Sequence, residues 1–430
     1  MRQSTITRFL KKLLLSAVLA ALVLAGGCKD KGQTKDDPDA GQEEDAQANA
    51  PSDDGRKDTA DISKDDRDSQ PDGPGDGKDN ATADQSDARV QEILTSMTLE
   101  EKVGQLFMLT PEQLTHVDTV IQAGETTRNS LEKYPVGGII YFKDNIIDEQ
   151  QIKTMISNTQ SYSKYPLFIG VDEEGGSRVA RVANNANFSV EKLPDMRVIG
   201  DSRNYDEAYR AGQVIGDYLH ELGFNMDFAP VADVLTNPEN TAIGERSFGP
   251  DADVDAQMTA RAVKGLQEKG VSSVLKHFPG HGGTTGDSHE SAVENNSTKE
   301  QLQNTDFKPF VSGIQAGADC VMAGHIALPA VTGDQTPATL SPAIITGILR
   351  GSLGFDRIVV TDSMQMGAIT NYYSSGDAAI KAVEAGVDII LMPQDFEQAY
   401  ESLLSAVQTG RISEARLDES VTRILRCKLR

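Results

Sequence analysis

Eight short apolar segments, separated by longer amphipathic stretches, constrain the fold of this chain more than any other feature. Each has the length of a buried strand, and most are followed by a helical pattern. This alternation predicts an α/β protein with a parallel sheet. The predicted strands are residues 104–108, 137–142, 166–171, 225–229, 272–277, 318–323, 357–361 and 387–392, and the predicted helices include 152–163, 205–222, 252–269, 299–316, 341–349, 377–385, 396–409 and 413–426.

The number of strands favours a closed barrel. Eight strands mostly followed by helices, over roughly 340 residues, is the pattern of a TIM (β/α)8 barrel, although a doubly wound open sheet would give a similar pattern. Charged and polar residues follow the third to the seventh strand. A barrel gathers all of those strand ends into one ring, whereas an open sheet would spread them apart. We therefore predict a TIM barrel.

The N-terminus has the pattern of a bacterial secretion signal. Basic residues precede the apolar run 13–24, which is short for a membrane-spanning helix. The run leads into Ala25-Gly26-Gly27-Cys28, which resembles the lipobox of bacterial lipoproteins, with Ala25 where Leu is preferred. Residues 1–28 are therefore predicted to be a lipoprotein signal peptide with Cys28 as the lipidation site. Ordinary cleavage and an uncleaved anchor are the alternatives.

The composition changes sharply after the predicted signal. Residues 29–87 contain 19 Asp and Glu against 8 Lys and Arg, and Ile62 is their only large apolar side chain. Such a segment buries too little surface to offset its chain entropy, so residues 29–85 are predicted to be a disordered acidic tether. It contributes almost half of the net charge of −24, and this acidity argues against nucleic acid as a partner. The folded domain is predicted to span residues 86–430.

The folded part contains two cysteines. Cys320 lies in an apolar segment that is predicted to be a strand, and Cys427 lies near the C-terminus. Two such positions do not form the framework of a disulfide-rich domain. Both are predicted to be ordinary packed or terminal thiols.

The loop 276–290, KHFPGHGGTTGDSHE, concentrates the titratable groups of the chain. It holds three of the six histidines together with four glycines, directly after the fifth predicted strand. Loops on a rigid scaffold are where catalytic groups tend to lie. The other residues placed for chemistry lie at or after the ends of their strands: Asp172, Arg178 and Arg181 after the third, Asp227 within and Arg246 after the fourth, His325 after the sixth and Asp362 after the seventh.

Asp362 is the sharpest single candidate. A carboxylate at the end of a barrel strand can attack an anomeric carbon or stabilise an oxocarbenium ion. The alternative is that Asp362 caps the next helix, since Asp is a favoured N-cap residue.

Asp287 and His289 form a second candidate pair. A carboxylate two residues from an imidazole can fix its tautomer and raise its basicity, which suits a general acid/base. The alternative is an incidental pair in a surface loop. A metal site is the alternative for the three histidines of this loop, His277, His281 and His289. Their spacing fits no standard zinc pattern, so no metal is expected.

The remaining strand-end residues have a binding and a structural interpretation. Arg246 and Lys276 suit the oxygens of a polyhydroxylated ligand, and the alternative is that each forms a structural ion pair with a strand-end Asp. Asp227 is predicted to be structural, pairing with an Arg or holding a loop. His325 is predicted to be a buried structural histidine, near the floor of the pocket.

Five motifs in order resemble glycoside hydrolase family 3, in its single-domain bacterial β-N-acetylglucosaminidase branch, over residues 85–430. They are DEEGG at Asp172, NMDFAPVADV at Asn225, IGERSFG at Ile243, KHFPGHG with DSH in the loop 276–290, and VVTDSMQMGAI at Val359.

The resemblance implies a retaining β-N-acetylhexosaminidase that needs no cofactor or metal. It implies that Asp362 is the nucleophile and that His289, assisted by Asp287, is the general acid/base. The sugar contacts that it implies fall on Asp172, Arg181, Arg246, Lys276 and His277. An extra residue, Ser177, interrupts the usual spacing before Arg181, so Arg178 is the alternative there.

The expected substrate is a glycan containing N-acetylglucosamine, such as a cell-wall muropeptide, on the outer face of the bacterial membrane. The only expected membrane contact is the lipid on Cys28, and a monomer is expected. Competing interpretations are a β-glucosidase or a phosphorolytic enzyme on the same scaffold, or a glycan-binding lipoprotein without turnover.

Overall fold

The computed structural model describes residues 87–286, 288 and 291–430. The predicted signal peptide with Cys28, the predicted tether 29–85, and the two loop residues Asp287 and His289 lie outside the described residues. No helix within the described ranges is long and apolar enough to cross a membrane.

Eight parallel strands form one sheet, and we number them β1 to β8 along the chain. Neighbouring strands follow the order β7-β6-β5-β4-β3-β2-β1-β8. A parallel bridge between Val360 of β7 and Ile389, just before β8, joins the two ends of this order. The sheet is therefore a nearly closed, TIM-like barrel, and the open-sheet alternative is wrong. The strands are Phe107–Leu109, Gly138–Ile140, Phe168–Val171, Met226–Asp227, Ser272–Phe278, Cys320–Ala323, Ile358–Thr361 and Ile390–Leu391.

Helices surround the barrel, and two short strand pairs lie outside it. The pairs are Glu173–Gly175 with Val179–Ala180, and Val293–Glu294 with Ile326–Ala327. The helices are residues 87–96, Leu99–Gln105, Pro111–Thr115, Glu125–Lys133, Glu149–Tyr162, Met196–Ser202, Tyr205–Leu222, Ala252–Gln267, Lys299–Asn304, Phe307–Gln315, Pro329–Thr332, Gly367–Thr370, Ser375–Ala385, Phe396–Gln408 and Glu414–Lys428, with 3₁₀ turns at Gly244–Arg246 and Ala338–Leu340 and a π-helix at Ala343–Ser352.

Two predicted elements differ from the structure. Gly104 was predicted to begin the first strand but lies in the helix Leu99–Gln105, which Thr98 starts through a capping box with Glu101. The predicted helix 299–316 is interrupted between Asn304 and Phe307. The proline at position 309 explains the interruption, because a proline inside one continuous helix would lack a hydrogen bond and clash with the preceding turn.

The outer helices Tyr205–Leu222 and Ala252–Gln267 approach each other closely because glycines lie at their contact. A Cβ added at Gly212 would lie 2.4 Å from the carbonyl oxygen of Ala262, and one added at Gly265 would lie 2.1 Å from that of Tyr209. Side chains at these two positions would push the helices apart. The helix Ala252–Gln267 in turn packs against β5.

Asp388 lies at the seam where β7 meets β8, and its side chain is fully buried. Its carboxylate accepts hydrogen bonds from the backbone N–H of Val359 at 2.9 Å, Nη2 of Arg350 at 2.7 Å, Oγ of Ser420 at 2.6 Å and Nη1 of Arg423 at 3.1 Å. One buried carboxylate therefore links the seam to the π-helix and to the last helix.

Asp388→Asn is expected to lower the free energy of unfolding by about 3–5 kcal/mol, because it leaves buried guanidinium groups without their counterion. Urea denaturation measures this change. Asp356→Asn is the matched control, since Asp356 is exposed two residues before β7; its expected effect is within about 0.5 kcal/mol. Equal effects of the two substitutions would contradict the proposed role of Asp388.

Candidate active site

A cavity of about 500 Å³ opens at the carboxyl ends of the barrel strands. All of the described residues that were predicted to act on or bind substrate line it, namely Asp172, Arg181, Arg246, Lys276, His277 and Asp362. Apolar side chains complete the wall, including Phe142, Phe228 and Met322. A mostly preformed cavity with a few convergent polar groups is typical of a small-molecule site.

Asp362 follows β7 directly, and the main chain fixes its position at the cavity. Its backbone N–H donates to the carbonyl of Ala323 at 2.9 Å, and its Oδ1 accepts the N–H of Ser363 at 2.7 Å. The next helix, Gly367–Thr370, has Met366 as its N-cap. The alternative that Asp362 caps this helix is therefore wrong.

His325 supports the turn that follows Asp362. Its Nε2 lies 2.9 Å from the carbonyl of Ser363, so this nitrogen carries the proton, and its Nδ1 lies 2.7 Å from the hydroxyl of Thr339. The ring is buried, as predicted for a structural histidine, and it does not line the cavity.

Four charged side chains form a network in the wall of the cavity. Nζ of Lys276 lies 2.7 Å from Oδ1 of Asp172 and 2.6 Å from Oε1 of Glu174. Arg246 binds both oxygens of Glu174, with Nε and Nη2 each at 2.7 Å. Arg246 and Lys276 therefore both form structural ion pairs, the alternative given for them in the sequence analysis, and Glu174 is their shared partner.

Glu174 was missed in the sequence analysis. It belongs to the DEEGG motif, but the pattern does not distinguish it from the neighbouring Glu173. In the structure Glu173 faces away from the network, because its carboxylate accepts the N–H groups of Val182 and Ala183 and the hydroxyl of Tyr218.

The network keeps its charges despite burial. Burial alone would raise the pKa of Glu174, but the positive charges of Arg246 and Lys276 outweigh it and hold that pKa well below its usual range. Burial would lower the pKa of Lys276, but Asp172 and Glu174 reverse the effect and raise it. Both cations therefore face the cavity charged and fixed in place.

A second buried carboxylate, Asp233, holds the loop that begins at Lys276. It accepts the backbone N–H of His277 at 3.1 Å and that of His281 at 2.6 Å, and its Oδ2 lies 2.7 Å from Nδ1 of His277. Burial would raise its pKa, but interaction with His277 lowers it overall. Since the carboxylate can only accept, Nδ1 of His277 carries a proton. The sequence analysis did not single out Asp233.

The two candidate arginines differ in their partners. Nη1 of Arg178 donates to the carbonyl of Thr241 at 2.6 Å. The guanidinium of Arg181 lies 5.9 Å from the ring centre of Phe142, and its Nε is buried without a hydrogen-bond partner. Both arginines line the cavity, and the assignment of the sugar contact to Arg181 over Arg178 stays a prediction.

Asp227 is structural, as predicted, but through the backbone. Its buried Oδ1 accepts the N–H of Glu173 at 2.9 Å, which holds the start of the loop after β3. Of the two structural roles predicted for Asp227, holding a loop is therefore confirmed, and none of the described contacts pairs it with an arginine. Burial raises its pKa well above the usual range.

The structure describes only the central residue of the Asp287-Ser288-His289 motif. Oγ of Ser288 lies 3.2 Å from Nε2 of His281, and its carbonyl accepts the N–H of Ala368 at 3.4 Å. Ser288 therefore contacts the segment that follows Asp362. Within the described ranges no cluster of His, Cys, Asp and Glu is arranged to hold a metal ion. The roles of Asp287 and His289 stay predictions.

Comparisons with known proteins agree on one family. The model of the glycosyl hydrolase family 3 N terminal domain matches residues 98–427. Beta-hexosaminidase A from Pseudoalteromonas piscicida is 33% identical over 323 residues, covering 69% of this chain and 54% of the relative. The Cellulomonas fimi protein named beta-N-acetylglucosaminidase/beta-glucosidase is 30% identical over 351 residues, covering 79% of this chain and 59% of the relative.

A solved structure gives the same result. The family 3 β-N-acetylglucosaminidase from Paenibacillus sp. str. FPU-7 superposes with a TM-score of 0.73 at 40% identity, covering 77% of this chain and 62% of that one. The chain therefore spans less than two thirds of the length of each of these three proteins. With the family model matching most of its length, the chain belongs to glycosyl hydrolase family 3.

Proposed function

We propose that this protein is a β-N-acetylhexosaminidase that hydrolyses terminal β-linked N-acetylglucosamine from glycans. The observation that carries the proposal is the position of Asp362, a carboxylate at the end of β7 that lines a cavity together with fixed cations and His277. The relative from P. piscicida is named beta-hexosaminidase A and the one from Paenibacillus is a β-N-acetylglucosaminidase, and both names support this choice of sugar.

The proposed mechanism is a retaining double displacement. Asp362 attacks the anomeric carbon while His289 protonates the leaving oxygen, which gives a covalent glycosyl-enzyme. Neutral His289, oriented by Asp287, then takes a proton from the water that releases the sugar. A histidine in this role avoids a second anion beside the nucleophile.

Substrate binding is proposed to fall on Asp172, Arg181, Arg246, Lys276 and His277. Charged and polar groups at fixed positions suit the hydroxyl and N-acetyl groups of a sugar. The support for this proposal is that all five side chains line the same cavity, and that the salt-bridge network limits the movement of three of them.

The N-terminal sequence supports a proposal for the location of the enzyme. We propose that lipidated Cys28 anchors the protein to the outer face of the bacterial membrane, and that residues 29–85 are an acidic tether. A monomer held there would reach cell-wall muropeptides.

A β-glucosidase is the second candidate, because the name of the C. fimi relative includes that activity. The full-length chain is expected to release p-nitrophenol from the β-N-acetylglucosaminide faster than from the β-glucoside. NMR of the first-formed sugar should show retention of the β configuration. Release that requires inorganic phosphate, with a sugar phosphate as product, would instead establish phosphorolysis.

Asp362→Asn separates catalysis from binding in the same assay. It is expected to lower kcat by at least about 10³-fold, because the amide cannot form the glycosyl ester. Asp356→Asn makes the same charge change at the opposite end of β7 and should retain the wild-type rate. If the wild-type protein binds the sugar without turning it over, the enzyme proposal is wrong and the protein is a glycan-binding lipoprotein.

His289→Ala is expected to affect poor leaving groups most. For a phenyl glycoside, kcat/KM should fall by about 10²–10⁴-fold, whereas the loss for a dinitrophenyl glycoside should be much smaller, because that leaving group needs little protonation. His220→Ala, which changes an exposed histidine on an outer helix, is the control. Equal losses for both substrates would exclude His289 as the general acid.

Glu174→Gln tests the network itself. The substitution leaves Arg246 and Lys276 without their shared anion, so the free energy of unfolding should fall by about 3–5 kcal/mol. KM is expected to rise at least about tenfold, because the two cations lose their fixed positions. Glu245→Gln is the control, since Glu245 is exposed beside Arg246 in sequence.

The pH dependence of stability gives a second readout for Glu174. A carboxyl with a lowered folded pKa contributes stability above its unfolded pKa of about 4.3, and this contribution is lost as the pH falls through the folded value. The difference between wild type and Glu174→Gln should therefore be constant near neutral pH and shrink in acid. Effects no larger than those of Glu245→Gln would contradict a role for the network.

A further inference from the structure

The two cysteines of the described part of the chain lie together at the end of the barrel opposite the cavity. Cys320 is fully buried, begins β6 and pairs with Ile358 at the start of β7. Cys427 lies in the last turn of the helix Glu414–Lys428, and its thiol lies within hydrogen-bonding reach of the thiol of Cys320. Both cysteines are free, as predicted, but they are neighbours.

Arg430 connects the surroundings of the two thiols. Its Nη2 donates to Sγ of Cys427 at 2.8 Å, and its Nη1 lies 2.6 Å from Oδ1 of Asp319, the residue before Cys320. On the other side, Sγ of Cys427 lies 3.5 Å from Oγ of Ser272 at the start of β5. Sγ of Cys427 therefore lies among hydrogen-bond donors, beside β6, the strand that carries Cys320.

Only one of the two cysteines is partly exposed to solvent. Cys427 is partly exposed and lines two cavities of about 220 and 370 Å³ at this end of the barrel. Cys320 lines neither of them. An incoming reagent would therefore meet Cys427 first.

The two thiols also differ in acidity. The hydrogen bond with Cys320 lowers the pKa of Cys427 to about 7, against the effect of burial. Burial raises the pKa of Cys320 well above its usual value. Cys427 is therefore the thiol that more readily becomes a thiolate, the nucleophilic form, while Cys320 keeps its proton.

We propose that Cys427 and Cys320 form a thiol–disulfide couple that reacts with low-molecular-weight disulfides. The Cys427 thiolate bonds to one sulfur of the small disulfide, whose S–S bond breaks and releases one thiolate. Cys320 then loses its proton to solvent, and its sulfur attacks Sγ of Cys427 and releases the second small thiolate. The small disulfide is reduced to two thiols, and the two cysteines are oxidised to one disulfide.

The geometry matches the requirements of such a couple. Redox-active pairs combine an accessible thiolate of low pKa with a resolving thiol beside it. The disulfide would tie the last helix to β6 and close a loop of about 100 residues, which restricts the unfolded chain. Because the thiols lie at the opposite end of the strands from Asp362, the bond is expected to change stability and leave turnover unchanged. The proposal does not depend on the proposed glycosidase function.

The test uses the full-length chain with Cys28→Ser, so that only these two thiols remain. The protein is treated with oxidised glutathione at neutral pH, denatured, alkylated with N-ethylmaleimide and weighed intact. The expected product has lost two hydrogens and carries neither maleimide nor glutathione. Added Cys320→Ser should trap one glutathione on Cys427, and added Cys427→Ser should leave Cys320 free for maleimide alone.

Two outcomes would overturn the proposal. Two maleimide adducts on the oxidant-treated protein would show that Cys427 does not react, and a persistent glutathione adduct would show that Cys320 does not resolve it. Two further readouts need no substitution in the pair. The alkylation rate of the native protein should rise with a midpoint below the ordinary thiol value of about 8.5, and oxidation should raise Tm by a few degrees at unchanged turnover. A midpoint at or above that ordinary value, or an unchanged Tm, would contradict the proposal.

Discussion

The arrangement of charged side chains at the mouth of the barrel depends on the salt-bridge network around Glu174. Lys276 and Arg246 are both largely withdrawn from water, and withdrawing an ion from water costs several kcal/mol unless a counterion is held in good geometry. Glu174 meets this requirement for both cations at once, and Asp172 adds a second anion beside Lys276. The cations can therefore line a binding cavity side by side, despite their mutual repulsion, without turning toward solvent.

Barrel closure makes this network possible. Glu174 follows β3, Lys276 lies within β5 and Arg246 follows β4, so the three are far apart in sequence. Parallel strands that close on themselves bring their carboxyl ends to one ring. An open sheet with the same strands would place Asp362, at the end of β7, away from the network.

Much of the fold could be predicted from the sequence, because the buried side of each strand and helix determines where apolar residues recur along the chain. The predicted bounds of the helix 205–222 match the structure, and each of the eight predicted strands overlaps an observed one. Local signals also indicated which strand ends carry chemistry, and Asp172, Lys276 and Asp362 all line the cavity.

The side-chain contacts that could not be predicted join residues that are distant in sequence and meet only in the fold. Adjacent Glu173 and Glu174 look alike in the sequence, yet one holds backbone N–H groups and the other neutralises two cations. Asp233 contacts His277 and His281, which lie more than 40 residues further along the chain. Periodicity shows which side of a strand is buried and gives no information on such partners.

The seam between β7 and β8 connects the stability of the barrel to the candidate nucleophile. Asp388 binds the backbone of Val359 in β7, only three residues before Asp362, which follows that strand directly. The register of β7 against β6, from Cys320–Ile358 to Ala323–Thr361, fixes the other edge of that strand. A strand held on both edges can place a carboxylate with the accuracy that attack on an anomeric carbon requires, since displacement by about 1 Å can cost 10²-fold in rate. Buried charge at the seam therefore helps to fix the position of the candidate nucleophile from outside the cavity.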